Sequence, residues 1–431
     1  MTHQQRINNF ILKFRKLTFI QILQQAMLLL FPVVLVGSFA DIISNNLLSA
    51  QGYLGSMLHI SRVPQYQFFR AIFNDLTIVT TGWISTYAAM ASAYLTTRHF
   101  HKTSLLSGIM GGVTYVLIFF HSVHGNNSII EMRYYGAGWF IIGITVGYLV
   151  GRVFAKYGQG LWQERNQTRA DILRTVFKNL KPVLIVVIIG LVIHSLYGLY
   201  RQFNLDSIVT QNLTSVLNRH SNYLLNILIS LITTVSIWLG FTAPLDFSSR
   251  IFDNEVFANL NFALTHKTNW GIPYPFTPSA LYNGFAQFGG VGVSLALLLA
   301  ILWVGYKKDQ QQVAKLTAIP VFFNTPGSLA FGIGLPLNPV YLIPFVLLPI
   351  FNMVVASVVI YLHLIPTIVY PVATGTPGIL TAFVGSGGNL MALFFSLLLL
   401  LIDTIIYIPF VKYANKIDEQ LLIEEGERNH E

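Results

Sequence analysis

Nine stretches of this chain are apolar for long enough to cross a bilayer, and no other feature restricts its fold as tightly. They run Ile22–Ile42, Thr77–Leu95, Leu105–His121, Gly136–Phe154, Val183–Tyr200, Tyr223–Phe241, Gly289–Tyr306, Val340–Leu362 and Leu390–Val411. A crossing helix needs roughly 20 apolar residues, because in hydrocarbon each backbone N–H and C=O must be satisfied within the segment. Weaker apolar pieces lie between Trp238 and Leu281 and between Thr317 and Leu337. Only 10% of the residues are charged and the mean hydropathy is +0.60, against roughly 25% charged residues in soluble domains. The expected class is an all-α polytopic membrane protein embedded in a lipid bilayer.

Lys and Arg concentrate in cytoplasmic loops of such proteins. Arg6, Lys13, Arg15 and Lys16 precede the first run, Arg98 and Lys102 follow the second, and seven basic residues from Arg152 to Lys181 follow the fourth. Alternate loops are poor in them; Ser122–Tyr135 holds only Arg133. Both termini are therefore expected in the cytoplasm, the second marked by Lys412 and Lys416. Ser38-Phe39-Ala40 resembles a signal cleavage site, but the long polar leader and the many later spans favour an uncleaved first helix. Counting from an outside Arg219 to an inside Lys307–Lys308 pair, simple crossings leave the parity wrong, so part of Thr242–Gln287 must cross or re-enter.

The formal charge of +9 is explained by this topology, and no basic stripe with interleaved aromatics suggests nucleic acid. The chain has no cysteine, which excludes disulfides, thiolate metal sites and a phosphocysteine within it. His121 and His124 have only Glu131 nearby, too little for a metal site. Neither metal nor cofactor is expected.

The two halves differ in character. Residues 1–218 read as regular spans, a scaffold half. From 219 to 431 Pro and Gly interrupt nearly every run: "GFTAPLDF", "GIPYPFTPSALYNGF", "FGGVGVS", "NTPGSLAFGIGLPLNP", "TGTPGILTAFVGSGGN". Non-helical backbone at membrane depth is tolerated where protein buries it or where it lines a wet cavity, and broken helices near the midplane are a common transporter device. The second half is expected to be the transport half, with a re-entrant element around Asn324–Leu337. Asp403, inside the last apolar run, is either a helix-packing hydrogen bond or a participant in substrate or proton movement. Asn74, Asp75 and Thr77 read as the capped start of a span, and His194 as a hydrogen-bonded interior residue.

The runs "ANLNFALTHKTNWGIPYPFTPSALYNGFAQFGGVGVSLALLLAILW", "IPVFFNTPGSLAFGIGLPLNPVYLIPFVLLPIFN" and "TGTPGILTAFVGSGGNLMALFFSLLLLLIDTIIYIPFVK" resemble enzyme IIC, the membrane permease subunit of the phosphoenolpyruvate-dependent sugar phosphotransferase system, in its lactose/cellobiose/diacetylchitobiose class. "FNDLTIVTTGWISTYAAMASAYL" and "YYGAGWFIIGITVGYLVG" extend the resemblance toward the N-terminus. It implies about ten transmembrane helices plus re-entrant hairpins, a homodimer formed through the N-terminal half, and transport of a disaccharide or small oligosaccharide across the bacterial cytoplasmic membrane. A separate cytoplasmic IIB subunit, served by IIA, would phosphorylate the sugar, so the chain itself is at most the membrane subunit of a phosphotransferase.

Two motif positions depart from the family pattern. Phe-Asn-x-Asn-Glu-Pro places its glutamate on Gly327, and Gly-Ile-His-Gly after a tryptophan places its histidine on Thr242, after Trp238. A glycine-only backbone at Gly327 would forbid restoring the acid. No residue is assigned a catalytic role. The remaining candidates for sugar binding are neutral: Asn324, Thr242, Asn338, Asn283, Gln287 and Asn259, whose side chains donate to or accept from hydroxyls, Trp238 as a stacking surface, and Gly327 at the motif position. A divergent homologue uncoupled from phosphorylation (a facilitator, sensor or carrier of another glycan) and a non-transporting scaffold for a glycan enzyme are the alternatives. Asp246, Asp253 and Glu255 read as loop or interface acids.

Overall fold

A computed structural model describes residues 3–102, 105–122, 128–129, 131–158, 169–202, 223–241 and 254–430. Helices dominate, and the one sheet among the described residues is a two-residue antiparallel pair, His121–Ser122 with Ser128–Ile129. Among the described residues, five helical segments are long and apolar enough to cross a membrane: Thr18–Leu47, Ala137–Tyr157, Phe177–Gln202, Leu342–Tyr361 and Leu390–Leu421. Shorter apolar helices are Leu105–Phe119, Tyr223–Trp238 and Ser294–Val304.

Thr18–Asp41 runs helically through Ser38–Ala40 and passes into a π-helical segment, Ile42–Leu47. The second apolar run is divided between a π-helical Ile78–Gly82 and the α-helix Ile84–His99. Asn74, Asp75 and Thr77 do not start that span; they form the last turn of an exposed amphipathic helix, Tyr66–Thr77, whose chain continues into the π segment. The run Gly289–Tyr306 also differs from a plain span, being helical only over Ser294–Val304.

The helices before residue 203 pack through small residues. Ile84–His99 ("ISTYAAMASAYLTTRH") lies between Leu105–Phe119 and Phe140–Tyr157. A Cβ on Gly143 would sit 2.3 Å from the Ser85 carbonyl, and one on Gly147 2.2 Å from that of Ala89. Lipid gives helices no hydrophobic reason to associate, so close approach and interhelical hydrogen bonds carry the packing. Buried Ser92 supplies such a bond, its Oγ donating to the Ile144 carbonyl at 2.8 Å. His194, half-buried rather than interior, has its Nδ1 3.2 Å from the Ile118 carbonyl, the hydrogen bond expected of it.

Ion pairs show which ends share a face. Asp418, near the end of the last helix, pairs with Arg15 and with Lys307, and Glu424 pairs with Lys16. Tyr341 lies within electrostatic reach of Asp418 and Arg15. The N-terminal helix junction, the Lys307 loop, the start of Leu342–Tyr361 and the C-terminal helix end therefore lie together on one face. Leu390 and Tyr361, at the other ends of their helices, lie on the opposite face.

Three interrupted elements follow from this. Helix Lys308–Phe322 enters from the terminal face, turns at Asn324, and returns through the short helix Gly327–Gly332 to Tyr341: a first hairpin. Residues 363–388 form a second hairpin from the opposite face, where Val369 and Tyr370 N–H groups bond the Gly385 carbonyl and the tip lies at Thr376–Gly378. Between them, the π-helix Ser279–Ala286 and the helix Ser294–Val304 make one broken crossing. Tyr223–Trp238 runs toward the terminal face and the broken span comes back to Lys307, so the chain returns to the opposite face before the loop at Asn269. Residues 242–253, on which part of the parity expectation falls, lie outside the described residues.

Candidate functional site

The two hairpins meet tip to tip, and Asn324 holds the meeting. Asn324 has φ 61, just past the end of helix Lys308–Phe322, where its N–H bonds the Val321 carbonyl and that of Thr325 the Pro320 carbonyl. Asparagine is among the few non-glycine residues that adopt this left-handed cap readily. The turned side chain reaches the second hairpin: Nδ2 donates to the Thr376 carbonyl at 2.8 Å, and Oδ1 accepts from the Gly378 N–H at 3.2 Å.

The broken crossing completes the junction. A Cβ on Gly378 would lie 2.4 Å from the Gln287 carbonyl, and one on Gly290 (φ +98) 2.6 Å from the Pro326 ring. Glycine at these two positions is what lets three non-helical backbones touch. Their depth follows from the neighbours: Asn352, midway along Leu342–Tyr361, donates to the Phe285 carbonyl at 3.0 Å, two residues before Gln287, and Tyr407 Oη of the last helix donates to the Gly292 carbonyl at 2.6 Å.

The second hairpin is also tied to the N-terminal helices. Asn46 Nδ2 donates to the Gly375 carbonyl and its Oδ1 accepts from the Leu54 N–H, both at 2.8 Å. The Tyr53 N–H bonds the Thr374 carbonyl, and the Thr374 N–H that of Gln51. Asn46, Thr376 and Gly378 were not singled out from the sequence. "TGTPG" marks a break, but only the fold shows what faces it.

The eight predicted binding residues divide into groups. Asn324, Gln287 and Gly327 belong to the junction. Gly327 opens its short helix in ordinary helical geometry, and the nearest atom to an added Cβ is Val34 Cγ1 at 3.8 Å, so the feared glycine-only conformation is absent. Asn283 is half-buried on the π-helix. Asn338 and Trp238 pair at the base of the first hairpin: buried Trp238 donates its Nε1–H to the Asn338 carbonyl at 3.2 Å, while Asn338 Oδ1 accepts from the Val340 N–H. Asn259, 1% exposed, clamps Tyr274 through both ends of its amide. Thr242, Asp246, Asp253 and His124 lie outside the described residues.

Asp403 makes the helix-packing bond. It and Asn352 are both fully buried, Asn352 Nδ2 donates to Asp403 Oδ2 at 2.7 Å, and the same amide reaches the Phe285 carbonyl. Asp403 Oδ1 has no hydrogen-bond partner among the described residues. The pair thus fixes the broken crossing to the last two long helices.

Chemically, the junction offers amide and backbone donors and acceptors and no ionisable side chain from Phe323–Pro339. It is suited to hydroxyl groups rather than to a charged ligand. Among the described residues, none of those predicted lines the cavity of about 550 Å³ between Leu29, Tyr87 and Ile109 or that of about 480 Å³ between Asn269, Phe276 and Tyr361.

Known proteins match this chain along most of its length. The cellobiose-specific EIIC component of Lactococcus lactis subsp. lactis is 34% identical over 32% of this chain and 28% of that protein. The oligo-beta-mannoside-specific EIIC component of Bacillus subtilis is 21% identical over 93% of this chain and 90% of that protein. The chain thus spans less than a third of the first relative and most of the second. A crystal structure of the transporter ChbC, the IIC component of an N,N'-diacetylchitobiose-specific phosphotransferase system, aligns over 96% of this chain and 97% of that one, at 18% identity and a TM-score of 0.42. The family model described as "Phosphotransferase system, EIIC" matches residues 24–349; with most of its length inside that match, the chain belongs to the phosphotransferase system EIIC family.

Proposed function

We propose that this chain is the membrane permease subunit of a sugar phosphotransferase system, moving a neutral disaccharide or small oligosaccharide across the bacterial cytoplasmic membrane. Residues 219–431 do the transporting and residues 1–218 form the scaffold, through which two copies pair. The observation that carries this reading is the mid-depth junction, where Asn324 joins Thr376 and Gly378 beside Gln287. Opposed half-spans meeting at a neutral, hydrogen-bonding break can hold a sugar away from both faces. Relatives named for cellobiose and oligo-beta-mannosides support that substrate class.

Arg15, Lys16 and Lys307 share a face with the N-terminal and C-terminal helices, and the positive-inside tendency supports a cytoplasmic location for both termini. IIB, charged by IIA, meets the permease there and supplies the phosphocysteine that this cysteine-free chain lacks. Uptake of radiolabelled cellobiose into vesicles, with and without phosphorylated IIB, tests the reading. Accumulation that requires the donor supports it; donor-independent equilibration would assign a facilitator instead. Because Gly327 and Thr242 replace the family's glutamate and histidine, the double variant Gly327→Glu with Thr242→His should raise sugar phosphorylation more than either change alone, since paired catalytic groups act non-additively. A wild type that the double variant cannot improve would show that other residues already carry the role.

A further inference from the structure

Away from the junction, on the face opposite the termini, a cavity of about 480 Å³ opens between the loop Asn269–Phe276 and the segment Ile360–Thr367. That volume falls within the roughly 300–1,000 Å³ of small-molecule sites. We propose that it is an outer docking site for a pyranose unit of the sugar before it reaches the junction. The proposal rests on the permease reading and adds a second site to it.

The lining has the chemistry a pyranose requires. Trp270 and Tyr361 stand at the rim, 40% and 73% exposed, and aromatic faces of this kind pack against the C–H face of a sugar ring. Trp270 lies 6.4 Å from His363 between ring centroids, and His363 is turned out by a left-handed backbone, φ 56. Asn269, His363 and Thr367 bring polar groups to an otherwise apolar wall, and among the described residues the lining contains no carboxylate, lysine or arginine. A neutral polyhydroxyl ligand fits such a wall better than an ion does.

The loop is held in place beforehand. Asn259 clamps the Tyr274 backbone, Asn226 Nδ2 donates to the Phe276 carbonyl at 3.3 Å, and Asn269 Nδ2 donates to the Ser386 carbonyl at 2.7 Å. The last bond ties the cavity to the base of the second hairpin, whose tip is at the junction. Gly271, φ +68, has no atom within 4 Å of where a Cβ would be, so the turn beside Trp270 leaves the mouth open. Tryptophan and tyrosine also gather at membrane interfaces for reasons of polarity alone. Such rings need no cavity, and Trp303, 65% exposed on Ser294–Val304, serves as the comparison.

The natural absence of cysteine makes a direct test simple. In right-side-out vesicles, Tyr361→Cys should react with a membrane-impermeant maleimide, and external cellobiose, lactose or mannobiose should slow that reaction at least fivefold, while glycerol should not. In uptake assays Trp270→Ala should raise KM about tenfold with little change in maximal rate, Trp270→Phe should keep most of the affinity, and Trp303→Ala should leave KM alone. Labelling unaffected by all three sugars overturns the proposal, as does an equal KM shift in Trp303→Ala. If uptake proceeds normally while protection is absent, the docking site falls and the permease reading stands. Protection without uptake keeps the site and removes the transport step.

Discussion

Glycine does opposite work in the two ends of this molecule. In the N-terminal bundle, Gly143 and Gly147 lie inside a regular helix, where the missing Cβ lets that helix rest on the Ser85 and Ala89 carbonyls. In the C-terminal elements, Gly289, Gly290, Gly292, Gly375, Gly387 and Gly388 have positive φ, and they interrupt helices instead of joining them. The first use makes a tightly packed body; the second leaves half-spans whose backbone groups bond across loops. A helix packed on its neighbour's backbone is difficult to move, whereas a junction held by one side-chain amide and a few backbone bonds can be opened. Rigidity and interruption are therefore segregated along the chain.

The sharpest way to break that contrast is Gly147→Val. Its new side chain would meet the Ala89 carbonyl, a backbone atom that no rotamer change can move aside. A loss of about 3 kcal/mol is expected, seen as a much lower unfolding temperature in detergent and a poor yield of monodisperse protein. Unchanged stability would show that the bundle is looser than its geometry implies.

Asn352→Ala comes next, with an expected cost of about 2 kcal/mol, because it strands the buried Asp403 carboxyl and the Phe285 carbonyl together. Replacing both members, as Asn352→Leu with Asp403→Leu, should recover much of the loss. Thermal unfolding of the three variants measures this. If the single variant is neutral, the pair does not anchor the broken crossing.

Asn324→Ala should act on binding more than on folding. Cutting the link to Thr376 and Gly378 is expected to weaken sugar affinity about tenfold, while the unfolding temperature shifts little because the N-terminal packing is untouched. Equilibrium binding of labelled cellobiose reads the effect, and unchanged affinity would remove Asn324 from the site. Gly327→Ala should do least of all, below about 0.5 kcal/mol, since its backbone is helical and its surroundings are open. A large loss there would show that the first hairpin needs glycine after all.

Much of the architecture was legible in the residues. All nine apolar runs coincide at least in part with helices, and among the described residues the interruptions after residue 219 fall where Pro and Gly cluster. Asn324 reads from the sequence as a neutral amide within a Pro/Gly break, and it sits at the turn of the first hairpin, bonded to Thr376 and Gly378. The sequence was less informative about pairs. Trp238 reads as a stacking surface, yet its N–H is committed to the Asn338 carbonyl. Asn259 reads as a sugar ligand, yet both ends of its amide hold a loop. The partners lie 100 and 15 residues away in sequence, and nothing local announces them.

What the chain determined by itself was the medium and the menu. Apolar length dictates spanning helices, charge placement suggests their direction, and prolines and glycines mark where helices stop, because these depend on each residue's own solvation and backbone freedom. Tertiary structure alone decided which breaks meet. Asn324 finds Thr376 and Gly378, and Asn46 finds Gly375, only after two hairpins have entered from opposite faces. A hydrogen bond between residues 52 or 329 positions apart depends on the whole chain having chosen its path.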